Sequence, residues 1–72
     1  MKKTFRLEDL DCAHCAGKME TAIRKLEGVN EANIAFFAQK ITIDAEDDRF
    51  DEIMKEVQKI IKGIEPDCRV IL

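Results

Sequence analysis

The sequence predicts an α+β fold in which two helices pack on one face of a four-stranded antiparallel sheet. Two observations lead to this prediction: short stretches in which apolar and polar residues alternate, and longer stretches in which apolar residues recur every three or four positions. They follow one another in the order strand, helix, strand, strand, helix, strand, with short connections. Each helical stretch has one apolar side, so both helices are expected to cover the same face of the sheet.

The first strand and the first helix flank a short loop. Phe5 and Leu7 alternate with polar residues between Lys3 and Glu8, which is the pattern of a half-buried strand. Residues Asp9–Ala13 break the alternation and are expected to form a loop. A helix follows, and Gly28 suits its C-terminal cap. The apolar stripe of this helix is Cys15, Ala16, Met19, Ala22, Ile23 and Leu26.

The remaining elements are two strands, a helix and a final strand. Alternation at Ala32, Ile34 and Phe36, and again at Ile41 and Ile43, predicts the second and third strands, with a turn at 37–39 between them. Asp47 or Asp48 is a candidate cap for the second helix, Pro66 ends it, and Cys68–Leu72 is predicted to be the last strand. The apolar stripe of the second helix is Phe50, Ile53, Met54, Val57, Ile60, Ile61 and Ile64.

This order of elements, βαββαβ, is that of the ferredoxin-like fold. In that topology the loop after the first strand and the loop before the last strand lie at the same end of the sheet. Residues 64–67 are therefore expected to lie near residues 9–13. The 72 residues are interpreted as one domain, residues 1–72, and as a monomer.

Composition excludes several classes of function. A net charge of −3 without a basic cluster argues against nucleic acid as the partner. No apolar run is long enough to cross a membrane, and the N-terminal stretch lacks the apolar core of a signal peptide. We therefore expect a cytoplasmic chain that does not itself insert into a membrane, although it can belong to a larger membrane protein.

The densest group of metal-ligand residues is Asp11-Cys12-Ala13-His14-Cys15. Two thiols three positions apart at a helix N-terminus can converge on one soft or borderline metal ion. The unpaired N–H groups and the positive end of the helix dipole there favour thiolate over thiol. Asp11 can supply a third ligand through its oxygen, or it can simply cap the helix.

Other interpretations of these residues stay open. A Cys-x-x-Cys pair also fits a small thiol oxidoreductase. His14 fits an exposed loop histidine, and Cys68 fits a packing residue of the last strand, although each is also a candidate ligand. Met19 and Met54 fall on the apolar stripes and are interpreted as core residues.

The segment Asp11-Cys12-Ala13-His14-Cys15-Ala16, with Gly28-Val29 after the first helix, resembles the heavy-metal-associated domain. The resemblance extends over essentially the whole chain. Such domains occur in cytosolic metallochaperones and at the N-terminus of metal-transporting P-type ATPases, so it implies a metal-binding module that is not an enzyme itself. An aspartate directly before the first cysteine, together with Ile64-Glu65-Pro66, is similar to the zinc/cadmium/lead-exporting ATPases. This resemblance implies Asp11, Cys12 and Cys15 as metal ligands, and Leu10 as the apolar anchor where the family usually has Met.

Coordination chemistry favours a divalent ion. Zn(II) and Cd(II) take about four ligands and accept carboxylate oxygen, as does Pb(II) in the proteins that this chain resembles, whereas Cu(I) is satisfied by two thiolates. Water, a partner's ligand, His14, Glu65 or Asp67 can complete the site. The alternative is a freestanding Cu(I) metallochaperone that uses only the two cysteines. Expected partners are other domains of a P-type ATPase or a metallochaperone, attracted to an acidic metal end. Its acidic residues are Glu8, Asp9, Asp11, Glu65 and Asp67.

Overall fold

The computed structural model describes residues 1–72 and contains the elements in the predicted order. The strands form one antiparallel sheet in the spatial order β2-β3-β1-β4, and the helices pack on it. The predicted α+β, ferredoxin-like arrangement is thus confirmed. The elements are β1 (Lys2–Glu8), α1 (Ala13–Arg24), β2 (Val29–Ala35), β3 (Lys40–Ala45), a 3₁₀ turn (Asp47–Arg49), α2 (Phe50–Ile64) and β4 (Arg69–Ile71).

The core lies between the helices and the sheet. Alternate strand residues are buried, among them Ile34 of β2 and Ile41 and Ile43 of β3. The predicted helix stripes supply the other side, and Met19 and Met54 are core residues as expected. Each fully buried aliphatic side chain of this size contributes about 1.5–3 kcal/mol, so these stripes hold the helices on the sheet.

Side chains from α1 bind backbone groups at the free edge of strand β2. The Glu20 carboxylate accepts a hydrogen bond from the Ile34 N–H, and Arg24 Nε donates to the Ala32 carbonyl at 2.8 Å. Glu20 and Arg24 also form an ion pair at 3.7 Å. Because an edge strand pairs with other chains through such backbone groups, this arrangement protects β2 from further strand addition.

The helix ends differ from the predictions. Helix α1 ends at Arg24, so Gly28 is not its direct cap. Gly28 instead adopts φ +93° in the turn before β2, where a Cβ would lie 3.0 Å from Ile53 Cδ1. Neither Asp47 nor Asp48 caps α2, since the N-cap residue is Arg49 and Asp47 pairs with the Met1 ammonium group at 2.7 Å.

Three loops meet at one end of the sheet. The strand register pairs Arg6 with Lys40 and Glu8 with Arg69, which places the end of β1 between its two neighbours. We call residues 9–12 the metal loop, residues 36–39 the hairpin turn and residues 65–68 the α2–β4 loop. The predicted proximity of the first and last of these loops is confirmed by a hydrogen bond from the Asp11 N–H to Glu65 Oε1 at 3.3 Å.

Candidate metal centre

Cys12 and Cys15 come together at the start of α1. Cys12 is the N-cap residue, with the extended backbone angles φ −122° and ψ 112°. Its Sγ accepts a hydrogen bond from the Cys15 N–H at 3.1 Å, and its carbonyl accepts one from the Ala16 N–H at 3.1 Å. A sulfur therefore has the capping role that the sequence suggested as an alternative for Asp11, and that alternative is wrong.

Hydrogen bonds give the two thiols different acidities. The pKa of Cys12 is lowered, first because the Cys15 side chain hydrogen-bonds to it and then because the Cys15 N–H does the same. The pKa of Cys15 is raised, first by this hydrogen bond with Cys12 and then by desolvation. Cys12 consequently ionises first, and its thiolate then accepts a hydrogen bond from the Cys15 thiol, which keeps its proton to higher pH. A thiophilic cation that replaces this proton binds a pair of sulfurs that is already assembled.

Asp11 lies beside the cysteine pair in an exposed position. No group of three or more His, Cys, Asp or Glu side chains in the structure is arranged to hold a metal ion. The structure thus brings together two of the three predicted ligands. An exposed side chain can change rotamer without disturbing the core, so the position next to Cys12 leaves Asp11 free to turn toward an ion bound there.

Glu65 approaches the cysteine pair from the α2–β4 loop. Its negative charge acts to raise the pKa of both Cys12 and Cys15, which indicates that the carboxylate lies near the sulfurs. Its Oε1 accepts the hydrogen bond from Asp11, whereas Oε2 is buried without any hydrogen-bond partner. A buried carboxylate oxygen without a partner is costly in free energy, and a bound cation would provide the missing partner.

The other candidate ligands are less favourably placed. His14 and Asp67 are exposed, and neither belongs to a group of converging ligand side chains. Cys68 is fully buried in the core, which agrees with its predicted packing role. Burial, and then the charge of Glu65, raises the pKa of Cys68 to about 11, so this thiol stays protonated at neutral pH.

Two contacts fix the metal loop: burial of its own residue Leu10 in the core, and hydrogen bonds between Leu10 and the Gln39 side chain. Leu10 is 2% exposed, in agreement with its predicted role as an apolar anchor. The Gln39 side chain accepts a hydrogen bond from the Leu10 N–H at 3.1 Å and donates to the Leu10 carbonyl at 2.8 Å. No sequence pattern indicates this contact, because Gln39 is an ordinary polar residue of a turn.

Taken together, the paired cysteines at a helix N-terminus and the βαββαβ fold define a small metal-binding module. The heavy-metal-associated domain model matches residues 4–67, and the chain belongs to this family. Domains of this family bind heavy-metal ions and are not catalysts, which argues against the thiol oxidoreductase alternative. No helix of the structure is both long and apolar enough to cross a membrane.

Sequence relatives include transporters and a chaperone. The chain is 38% identical over 56 residues to a zinc/cadmium/lead-transporting P-type ATPase of Shigella sonnei (strain Ss046), a match that covers 78% of the chain and 8% of the transporter. It is 34% identical over 47 residues to the copper chaperone CopZ of Staphylococcus saprophyticus, covering 65% of the chain and 69% of the chaperone. The chain thus spans less than a tenth of the length of that transporter.

The similar solved structures likewise include the N-terminal domain of a larger protein and a metallochaperone. The N-terminal domain of ZntA in its Zn(II) form superposes with a TM-score of 0.72 at 27% identity, covering 97% of this chain and 88% of that domain. A CopZ metallochaperone superposes with a TM-score of 0.72 at 16% identity, covering 99% and 100% respectively. The second likeness is one of fold alone.

Proposed function

We propose that residues 1–72 form a cytosolic domain that binds a divalent heavy-metal ion, Zn(II), Cd(II) or Pb(II), through Cys12, Cys15 and Asp11. We further propose that it is the N-terminal regulatory or delivery domain of a cation-exporting P-type ATPase. The observation that carries the choice of a divalent ion is the Glu65 carboxylate, whose charge acts on both cysteines and whose Oε2 has no hydrogen-bond partner. The carboxylate of Asp11, the residue before Cys12, is exposed and can supply a second oxygen ligand. Glu65 is our candidate for the fourth ligand.

The charges and ligand types at the site fit a divalent ion better than Cu(I). Two thiolates and the Asp11 carboxylate leave a divalent ion with a single net negative charge and Cu(I) with two, and Glu65 as fourth ligand adds one more negative charge in each case. Oxygen ligands are suited to Zn(II) and Cd(II) but contribute little to the soft Cu(I) ion. Glu65 is half-buried, and its inaccessible Oε2 would carry a desolvation cost without compensation if it did not reach an ion. The partly paired state of Glu65 supports the proposal of a cation that both carboxylates help to bind.

A freestanding Cu(I) metallochaperone is the second candidate function. It is favoured by the convergence of only two ligand side chains, the sulfurs of Cys12 and Cys15, and by the similarity to the chaperone of S. saprophyticus. In this alternative Asp11 and Glu65 have no metal-binding role. The two proposals therefore differ in the effect of removing a carboxylate.

The test compares Asp11→Asn with the native chain. Zn(II) and Cu(I) affinities are measured by chelator competition under reducing, anaerobic conditions. We expect Zn(II) binding to weaken by about tenfold or more, which is about 1.4 kcal/mol, with little change for Cu(I). Asp67→Asn is the matched control, since it removes one exposed charge from the same end of the molecule. Equal Zn(II) affinity of the Asp11→Asn variant and the native chain would favour the copper-chaperone alternative.

The proposed partner is a basic surface on another ATPase domain or on a metallochaperone. Glu8 is paired with Arg69, so the unpaired acidic charges at this end belong mainly to the metal loop and to residues 65–67. Association through such exposed charges should weaken steeply as ionic strength rises. Salt-independent association would contradict this electrostatic part of the proposal.

A further inference from the structure

We propose that Gln39 is a positioning residue for metal binding: its side chain holds the metal loop in the conformation that places Asp11 and Cys12 at the ion. This inference rests on the proposed function for the identity of the site. It concerns a residue of the hairpin turn, which lies far from the metal loop in sequence.

The contact between Gln39 and Leu10 resembles the pairing of two peptide groups. The carboxamide of Gln39 binds both backbone groups of Leu10, accepting from its N–H at 3.1 Å and donating to its carbonyl at 2.8 Å. The same Nε2 donates to the Phe36 carbonyl at 2.8 Å, which fixes the carboxamide against its own turn. The Gln39 carbonyl also accepts from the Leu7 N–H at 2.7 Å. The metal loop and the hairpin turn are therefore joined by a network that uses both the backbone and the side chain of Gln39.

The backbone of the metal loop needs such support. Asp9 has φ +61°, in the left-handed region that residues other than glycine seldom adopt. A strained conformation of this kind persists only where surrounding contacts enforce it. Leu10, the next residue, is enclosed by the core and bound at both backbone groups by Gln39. Since Asp11 and Cys12 follow directly, the direction in which they leave Leu10 is set by these contacts.

Preorganisation of the loop should increase the affinity for metal. Without the Gln39 contacts, the ion would have to order residues 9–12 as it binds, and this ordering would reduce the net binding free energy. The glutamine side chain binds one donor, the Leu10 N–H, and two acceptors, the carbonyls of Leu10 and Phe36. Neither a hydrocarbon nor a carboxylate side chain can do this. Metal affinity is therefore the property most directly affected by its loss.

The experiment uses Gln39→Met, which keeps the length of the side chain but removes its hydrogen bonds. Gln58→Met is the matched control, because Gln58 is a half-buried glutamine of α2 outside the metal loop. Zn(II) affinity is measured by chelator competition at a temperature where each variant is folded, and Co(II) absorption reports the coordination geometry. We expect Gln39→Met to weaken Zn(II) binding by about tenfold and to change the Co(II) bands, with Gln58→Met behaving like the native chain.

A purely structural role would lower the free energy of unfolding without changing the affinity of the folded protein or its Co(II) spectrum. That result would overturn the proposal. If Gln39→Met does not fold, the test is made on the native chain and Gln39→Glu by amide hydrogen exchange. The Leu10 N–H should exchange slowly in the native chain and faster in Gln39→Glu, because a carboxylate cannot donate to the Leu10 carbonyl. Equally fast exchange of this N–H in the two chains would also overturn the proposal. If the native chain fails to bind Zn(II), the proposed function fails, whereas the exchange measurement still tests the Gln39 contact.

Discussion

Replacing Glu65 by glutamine should change stability and metal affinity in opposite directions. The Oε2 atom of Glu65 is buried without a partner, while Oε1 accepts a hydrogen bond from the Asp11 N–H. Glutamine keeps an oxygen for Asp11 and replaces the charged group by a neutral one of the same shape. The backbone contacts of residue 65, to Ile61 and Cys68, involve no side-chain atom and are retained.

The size of the effect follows from the desolvation of this oxygen. An unsatisfied buried polar group costs about 1–3 kcal/mol, and the penalty is larger for a charged group than for a neutral amide. We expect the unfolding free energy of the metal-free Glu65→Gln variant to rise by about 1 kcal/mol. In a domain of this size such a gain corresponds to a Tm increase of about 4–8 °C. With the carboxylate gone, Zn(II) affinity should fall by about tenfold or more.

The assay combines thermal unfolding of the metal-free protein with Zn(II) chelator competition at pH 7. Asp67→Asn is the control for general charge, since Asp67 is exposed and lies two positions after Glu65 in the sequence. The pH dependence of thiol alkylation provides a third measurement. The charge of Glu65 raises the pKa of both Cys12 and Cys15, so its removal should shift thiolate formation to lower pH. An unchanged Zn(II) affinity, or a loss equal to that of Asp67→Asn, would refute the assignment of Glu65 as a ligand.

Three further predictions concern the fold. The first concerns Cys68, whose folded-state pKa is raised by burial from 9.0 to about 11, so the unfolded chain loses this proton at lower pH than the folded chain. In a background with Cys12→Ser and Cys15→Ser, the free energy of unfolding should therefore fall by about 2 kcal/mol between pH 9 and pH 11. Denaturant titrations should show a smaller fall once Cys68→Ala is added, and an equal slope would contradict the role of this thiol. Glu20→Ala should lower the free energy of unfolding by about 1 kcal/mol and promote dimers in analytical ultracentrifugation, since it leaves the Ile34 N–H at the β2 edge without its acceptor. If this variant is as monomeric as Glu27→Ala, a control at an exposed position, Glu20 does not protect the edge of β2. Gly28→Ala should lower the free energy of unfolding by about 1–3 kcal/mol, because Gly28 has a positive φ and its Cβ would approach Ile53. Gly63→Ala should raise it by up to about 1 kcal/mol, because Gly63 is in a helix and a Cβ there meets nothing within 4 Å. Equal effects of the two glycine substitutions in chemical denaturation would count against this explanation.

Periodicity predicted the fold because burial in this small domain follows it closely. Ile41 and Ile43 alternate with polar residues and are fully buried, and Met19 and Ile23 lie on a helical stripe and are fully buried as well. The element order then determined which loops meet, including the approach of Glu65 to the metal loop. These predictions depend on side-chain spacing along one element and on topology.

The helix ends and the supports of the site depended on contacts that spacing does not encode. Gly28 looked like a helix cap, but its requirement for positive φ lies in the turn before β2. Asp11 was a candidate N-cap as the alternative to its predicted role as a ligand, yet Cys12 occupies the N-cap position and uses its sulfur. The role of Gln39 requires a specific turn conformation and two segments that are distant in sequence, so no local pattern could reveal it.

The measurement that tests the central claim most directly is X-ray absorption at the zinc edge, on the native chain loaded with one Zn(II) under reducing conditions. The proposed site predicts two sulfur ligands at about 2.3 Å and two oxygen ligands at about 2.0–2.2 Å. The sulfurs are those of Cys12 and Cys15, and the oxygens are assigned to Asp11 and Glu65. A zinc shell of four sulfurs, which would require two chains to share the ion, would contradict the proposed site.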